Sequence, residues 1–318
     1  MSENVQFLDF SGQLSRLEAQ GITINDRAKA ENKLKTIGYY KLKGFAYPLA
    51  HSNNANKPFE GINFDDLVLR YYQDKNLRIF LLHAIEKIEV SVKVTLGYVL
   101  GSKYGAFGYI NFSKWVDRKR YASSKRIEME QKFCKDLKEK IDRSTLPDLK
   151  NPNNLNMGLP SIWLAMDLLT FGDVVYLLKI MSRSNLIDIA NEYGFSYEEL
   201  LSYMSCLNFV RNACAHNANI VDMRLRTVPI VRDEWKPNLY IYPDRKEYTN
   251  RVAIVIMIVK SFISTINPKY LYNNISNSIF KMVNNTDLKA QNLGFLNAAA
   301  YKRTLPTKHS HKINKRKK

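Results

Sequence analysis

Cysteine is scarce in this chain: Cys134, Cys206 and Cys214 stand alone in 318 residues, and no two of them form a C-x-x-C pair. A disulfide framework and a cysteine-based zinc site are thereby excluded, and a reducing cytoplasm is the expected location. Long apolar runs are missing too. The longest, Val252 to Val259, is eight residues and is closed by Lys260. A membrane span needs roughly 18–20, so none is expected. Met1 to Phe10 carries Glu3 and Asp9 and lacks a basic stretch followed by an apolar one, so no secretory signal is expected. Glycine and proline number only 13 and 10, and strand-like alternation is rare, which together predict a mainly α fold.

Acidic residues are the other minority: 30 against 48 lysines and arginines, a net charge of +18. Eight of the basic residues, Lys302, Arg303, Lys308, Lys312, Lys315, Arg316, Lys317 and Lys318, fall in the last seventeen positions, where there is no acid. This stretch reads as a mobile basic tail. Without those eight charges the chain remains near +10, so a polyanion is its natural partner, nucleic acid before an anionic membrane surface. With 45% apolar residues the chain has the material to close a core.

Capping residues and apolar spacing divide the chain. Ser11 can cap a helix through Gln20 that Gly21 closes, and Asp26 a second running to about Ile37 with Gly38 at its end. Tyr39 to Pro48 interleaves Tyr39, Tyr40, Phe45 and Tyr47 with Lys41 and Lys43. Such a segment either packs a core with its lysine heads in water or stacks bases and holds phosphates. From Phe64 to Leu100 apolar residues recur at helical spacing, with an interruption expected near Asp74, and Glu89 and Lys93 are placed for an ion pair. A charged, exposed helix follows over Tyr121 to Arg143, then a loop over Asp148 to Pro160. Ser196 and Glu199 form a capping box that starts a helix running into Arg211. Strand-forming residues in Thr227 to Val231 and Tyr240 to Tyr242 allow a small β hairpin within Arg224 to Tyr242, although Pro229 opposes it. Helices over Glu247 to Ile266 and Tyr270 to Val283 close the fold. The expected division is an N-terminal helical, aromatic and basic segment (1–60), a helical domain (61–285) and a C-terminal extension with the basic tail (286–318).

The chemistry concentrates at one place. Of the five histidines, His309 and His311 lie in the tail, His51 precedes an asparagine-rich turn and His83 sits within a helix. His216 closes the run Arg211, Asn212, Ala213, Cys214, Ala215, His216. A permanent cation, a carboxamide and a group that titrates near neutrality within six positions suit phosphodiester chemistry. The same residues could equally be a surface ion pair, a backbone-bonded amide and a helix-terminal histidine. On an unbroken helix Asn212 and His216 share a face, whereas Arg211 and His216 diverge by about 140°. The helix must therefore loosen near His216 or Arg211 must reach round, and Asn217 and Asn219 are plausible stop residues.

Arg211, Asn212, Ala215 and His216 resemble the R-N-x-x-A-H form of the HEPN ribonuclease motif. Other segments resemble the Abi family of bacterial abortive-infection proteins, of the AbiD and AbiF type. These are Ile37 to Phe45 with Tyr47-Pro48, Asp74-Lys75-Asn76-Leu77-Arg78, Ile85 to Val90, and Trp163 with Thr170-Phe171-Gly172. The likeness extends over roughly residues 8 to 260. Lys93 stands where the family pattern suggests arginine, and Asn219-Ile220-Val221 replaces an Arg-Leu pair, for which Arg224 and Arg226 could substitute.

The resemblance implies a HEPN-like helical bundle, metal-independent RNA cleavage without a cofactor, and a homodimer that brings two motifs together. His216 would act as general acid or base, Arg211 as a clamp on developing charge, and Asn212 as an orienting partner. Glu86 or Glu89 could hold Arg211. Contacts to RNA are expected from Tyr39, Lys41, Lys43, Arg224, Arg226 and the tail residues Lys315, Arg316, Lys317 and Lys318. The leading expectation is a ribonuclease of a phage-defence or toxin–antitoxin system. Its alternatives are a non-catalytic RNA-binding module and, further off, a protein recruited to membrane surfaces by its tail.

Overall fold

The computed structural model describes residues 6–50 and 54–305, and within them the chain is mainly α-helical. His51 and the tail beyond Leu305, including Lys315 to Lys318, lie outside the described residues. Helices α1 (Phe10–Ala19), α2 (Arg27–Ile37) and α3 (Tyr39–Gly44) come first. Asp9 caps α1 through Gly12 N–H at 2.7 Å, where Ser11 was expected to do so; Asp26 caps α2 through Lys29 N–H at 2.9 Å, as its position predicts. Gly21 ends α1 with φ of +99°, and a Cβ there would meet the Glu60 backbone nitrogen at 2.7 Å. Only glycine fits that turn.

α4 (Phe64–Tyr104) is the axis of the molecule. Its 41 residues run without a break through Asp74, so the interruption expected there does not occur. The charge that suggests a break is instead buried and paired, as described below. The first turns of α4 place Phe64, Leu67 and Val68 in a small core with Leu14, Leu17, Leu34 and Phe45 of the N-terminal helices. From Leu77 to Leu100 its buried face belongs to the main core. One helix thus joins both cores.

The main core is completed by α5 (Phe112–Trp115), α6 (Ser123–Asp142), α7 (Ile162–Leu168), α8 (Phe171–Ile180), α9 (Arg183–Asn191), α10 (Tyr197–Ala215) and α11 (Val252–Ile266). The loop ahead of α7 holds a short antiparallel pair, β1 (Leu155–Asn156) with β2 (Leu159–Pro160). The expected hairpin at Arg224 to Tyr242 is shifted: β3 (Ile241–Tyr242) pairs with β4 (Glu247–Tyr248), residues that had been expected to begin a helix. Thr227 to Val231 form no strand, and Asp233–Asn238 make a 3₁₀ turn. Three further helices, α12 (Asn273–Val283), α13 (Asp287–Asn292) and α14 (Ala298–Thr304), follow. Tyr301 and Leu305 are buried in the main core, so Lys302 and Arg303 are helical residues rather than the start of a tail. Among the described residues no helix is long and apolar enough to cross a membrane.

Candidate active site

α10 carries the Arg-Asn-His run, and its start is fixed twice. The Ser196 hydroxyl accepts from Glu199 N–H at 3.1 Å and the Glu199 carboxylate accepts from Ser196 N–H at 2.8 Å, the capping box that the sequence predicts. Beside it the Tyr193 hydroxyl bonds Ser91 and Thr95 of α4 at 2.9 and 3.0 Å. The helix's inner face is then buried through Leu200, Tyr203, Met204, Leu207, Val210 and Cys214.

Its other end stops on the motif, but among the described residues no hydrogen bond joins the Arg211 and His216 side chains. The last helical residue is Ala215; His216 is the C-cap, and Asn217 turns left-handed with φ of +57°. Ala218 N–H donates to Ala213 O at 2.8 Å and Asn217 N–H to Cys214 O at 3.2 Å, the paired bonds of a Schellman stop. Asparagine is one of the few side chains that tolerate this conformation. Asn217→Val is therefore expected to destabilise the protein by about 1–2 kcal/mol, whereas Asn217→Gly should unfold at a similar denaturant midpoint to the parent.

The carbonyls left over by this stop are met by cations from two other elements. Lys41 of α3 donates to Asn217 O, and Arg78 of α4 donates to Asn217 O at 3.3 Å and Ala218 O at 3.0 Å. Positive charge at a helix C-terminus is favourable because the carbonyl ends carry partial negative charge. Arg78 is in turn paired at 2.6 Å with Asp74, and both side chains are almost wholly buried. The other Asp74 oxygen accepts from Ile220 N–H and Val221 N–H, each at 2.9 Å. Arg70, one turn earlier, pairs with Asp222 at 2.5 Å. Three consecutive turns of α4 thus clamp the loop that follows His216.

Burial pushes the Asp74 carboxyl up from its usual range, against the opposite pull of the Val221 N–H, Arg78 and the Ile220 N–H. Burial, with Arg78 close by, pushes Lys41 down. The thiols of Cys206 and Cys214 are each pushed up to about 12 by burial. Since the thiolate is the reactive species, neither should be alkylated by iodoacetamide at pH 8 until the protein is unfolded, an expectation that peptide mass spectrometry checks.

The motif side chains themselves are open to solvent. Asn212 and His216 are exposed and Arg211 is half-buried. Arg211 donates to Asn212 Oδ1 at 3.3 Å, and His216 is linked to Asn212 through the backbone, its N–H donating to Asn212 O at 2.9 Å. Among the described residues the His216 ring makes no hydrogen bond and Arg211 has no carboxylate partner. Glu89 pairs with Lys93 at 2.9 Å, as its spacing predicts, and neither it nor Glu86 is ion-paired with Arg211.

The Tyr39 to Tyr47 segment divides its roles. Leu42 and Phe45 are core, Tyr40 and Tyr47 are 77% and 61% exposed, Lys43 lies over the Tyr39, Tyr47 and Phe59 rings, and Lys41 is spent on the post-motif loop. Arg224 and Arg226 are exposed, and Arg226 borders a pocket of about 390 Å³ with Phe209 and Pro229. No group of three His, Cys, Asp or Glu side chains suited to a metal occurs among the described residues. Asp74, Arg78 and Lys41 are the site residues whose role spacing misses: Asp74 reads as a helix interruption, Arg78 only as part of a family-like segment, and Lys41 as a solvated lysine or an RNA contact.

The segments that meet here all lie within one family match. The model of the Abi-like protein family matches residues 32–222, narrower at both ends than the likeness read from the sequence and ending on the residue that pairs with Arg70. That span is more than half of the chain, and the protein belongs to the Abi-like family. Membership points to abortive infection, a form of phage defence. No curated protein and no solved structure matches the chain.

Proposed function

We propose that this protein is a metal-independent endoribonuclease of an abortive-infection or toxin–antitoxin system. The observation that carries the reading is a contrast at one helix end. The backbone around His216 is held by a Schellman stop, the buried Asp74–Arg78 pair and one further cation, Lys41, yet the side chains of Arg211, Asn212 and His216 are used for none of that holding. Rigid presentation of unspent polar groups is what a reactive site requires.

The chemistry follows from the groups. The imidazole of His216 takes the proton of a ribose 2′-hydroxyl, or supplies one to the departing 5′-oxygen. Arg211 stabilises the charge that builds on the non-bridging phosphate oxygens, with Asn212 fixing the guanidinium through their shared hydrogen bond. The 2′-oxygen bonds to phosphorus as the 5′-oxygen leaves, giving a 2′,3′-cyclic phosphate and a 5′-hydroxyl. One motif provides one imidazole, so a second copy is required for acid and base to act together, and the working species is a homodimer. Light scattering should give twice the chain mass.

The test is incubation of labelled RNA with the purified protein in EDTA, followed by chemical mapping of the new ends. Cyclic phosphates, and resistance of a substrate with a 2′-deoxy nucleotide at the cut site, support the proposal. Fragments with 3′-hydroxyl ends would overturn it. A second reading, an RNA-binding module that holds RNA without cutting it, is favoured by the exposure of Tyr40 and Tyr47 beside a basic chain. It expects intact RNA in a stable complex under the same conditions.

A further inference from the structure

A basic cavity borders the Arg70–Asp222 pair. It opens between α4 and the α12–α13 pair with a volume of about 320 Å³, within the usual range of roughly 300–1,000 Å³ for small-molecule sites. Arg70, Arg251, Lys281 and Lys289 line it, against Asp66 and Asp222. Arg70 is engaged by Asp222. The side chains of Arg251, Lys281 and Lys289 make no ion pair or hydrogen bond among the described residues, although three like charges facing one cavity repel each other. Arg70 adds an Nε that is buried and without a partner, a donor that lacks its acceptor.

The cavity continues into a second one of about 250 Å³, with which it shares Leu69, Gln73 and Lys281. The character changes along this groove. Its far part is bordered by Tyr72 and Phe80 and by the carboxamides of Asn76, Asn274 and Asn277. Aromatic faces stack on bases, and carboxamides both donate to and accept from base edges. Cations at one end and rings with amides at the other match a phosphate joined to a nucleoside.

We propose that this groove binds a nucleoside phosphate, with the phosphate held by Arg251, Lys281 and Lys289 and the base lying beside Tyr72. The cationic end draws Arg251, Lys281 and Lys289 from beyond residue 222, where the family match ends, so the site is built by this chain's C-terminal helices on the family framework. Occupancy reaches the motif through a competition. A phosphate beside Arg70 is an alternative partner for its guanidinium, and releasing Asp222 frees the end of the loop that follows His216. Binding stands apart from the ribonuclease reading; only the consequence for His216 rests on it.

Calorimetric titration of the full-length protein tests the site with mononucleotides, inorganic phosphate, pyrophosphate and a short RNA oligomer. A mononucleotide should bind more tightly than inorganic phosphate, and Lys281→Gln with Lys289→Gln should weaken it about tenfold or more. Both lysines are exposed, so the melting temperature of that variant should match the parent. Hydrogen exchange at residues 217–222 should rise on binding. His216→Ala should bind the nucleotide as the parent does, which separates this site from the candidate active site. The proposal is overturned if no mononucleotide binds, if the double variant binds unchanged, if phosphate alone binds equally well, or if heat appears only with the RNA oligomer.

Discussion

Cleavage of RNA by His216→Ala is expected to fall by about 10²–10⁴-fold, the usual contribution of a positioned general acid or base. The effect should be confined to chemistry. The ring is exposed and makes no hydrogen bond among the described residues, so its removal should change stability by no more than about 0.5 kcal/mol. RNA affinity, which depends on the number of phosphates met by cations, should stay within about twofold. Arg211→Lys is a companion test. A lysine keeps the charge but loses the planar fork that pairs with two phosphate oxygens and with Asn212, so cleavage should fall while binding and folding persist. Rates are read from single-turnover cleavage, and affinity from a filter or fluorescence assay. Undiminished cleavage by His216→Ala would falsify the assignment of this residue, whatever the fate of the RNA.

Asp74→Ala should have the largest effect on stability. It leaves the Arg78 guanidinium buried without its partner and strips the Ile220 and Val221 N–H groups of their acceptor. Breaking a buried pair from one side costs about 3–5 kcal/mol, visible as a lower urea midpoint at unchanged slope. Asp74→Leu combined with Arg78→Met removes both charges and should recover part of that loss. It does not restore an acceptor for the two N–H groups, so the loop after His216 should stay loose. Stability recovered without cleavage recovered is therefore the expected signature of a residue pair whose role is to position the loop. A loss below about 1 kcal/mol for Asp74→Ala would instead mean that the pair is solvated.

The sequence made legible those features whose causes are local. The Ser196–Glu199 box, the Asp26 cap, the Glu89–Lys93 pair and the stop at Asn217 each involve residues within a few positions, and each appears where spacing puts it. Asp74 shows the limit. A carboxylate in an apolar helical run reads as a break, because two of the three donors that make its burial tolerable, besides Arg78 one turn on, lie 146 and 147 residues away in the chain. The β3–β4 pair was misplaced for a related reason. Thr227 to Val231 have strand-forming side chains but no partner strand, whereas Glu247 and Tyr248, which look like the first turn of α11, are captured by Ile241 and Tyr242. Lys302 and Arg303 read as tail by charge alone, although Tyr301 and Leu305 around them are core.

The passage of α4 through both cores sets an order of events during synthesis. The smaller core has its last buried residue at Val68 and its last packed one at Tyr71, so it can close while most of the protein is still unmade, and domains generally form in this vectorial way. The clamp on the post-motif loop cannot. Asp74 and Arg78 must wait for Ala218, Ile220 and Val221, and the core that receives Ile220 and Val221 also draws on Val252 to Phe262 and on Phe295 and Tyr301. Until those residues leave the ribosome, Arg211 and His216 stand on a helix whose end is unanchored. A nascent chain is thus kept from assembling this end of the molecule until nearly all of it exists, a delay written into the topology itself.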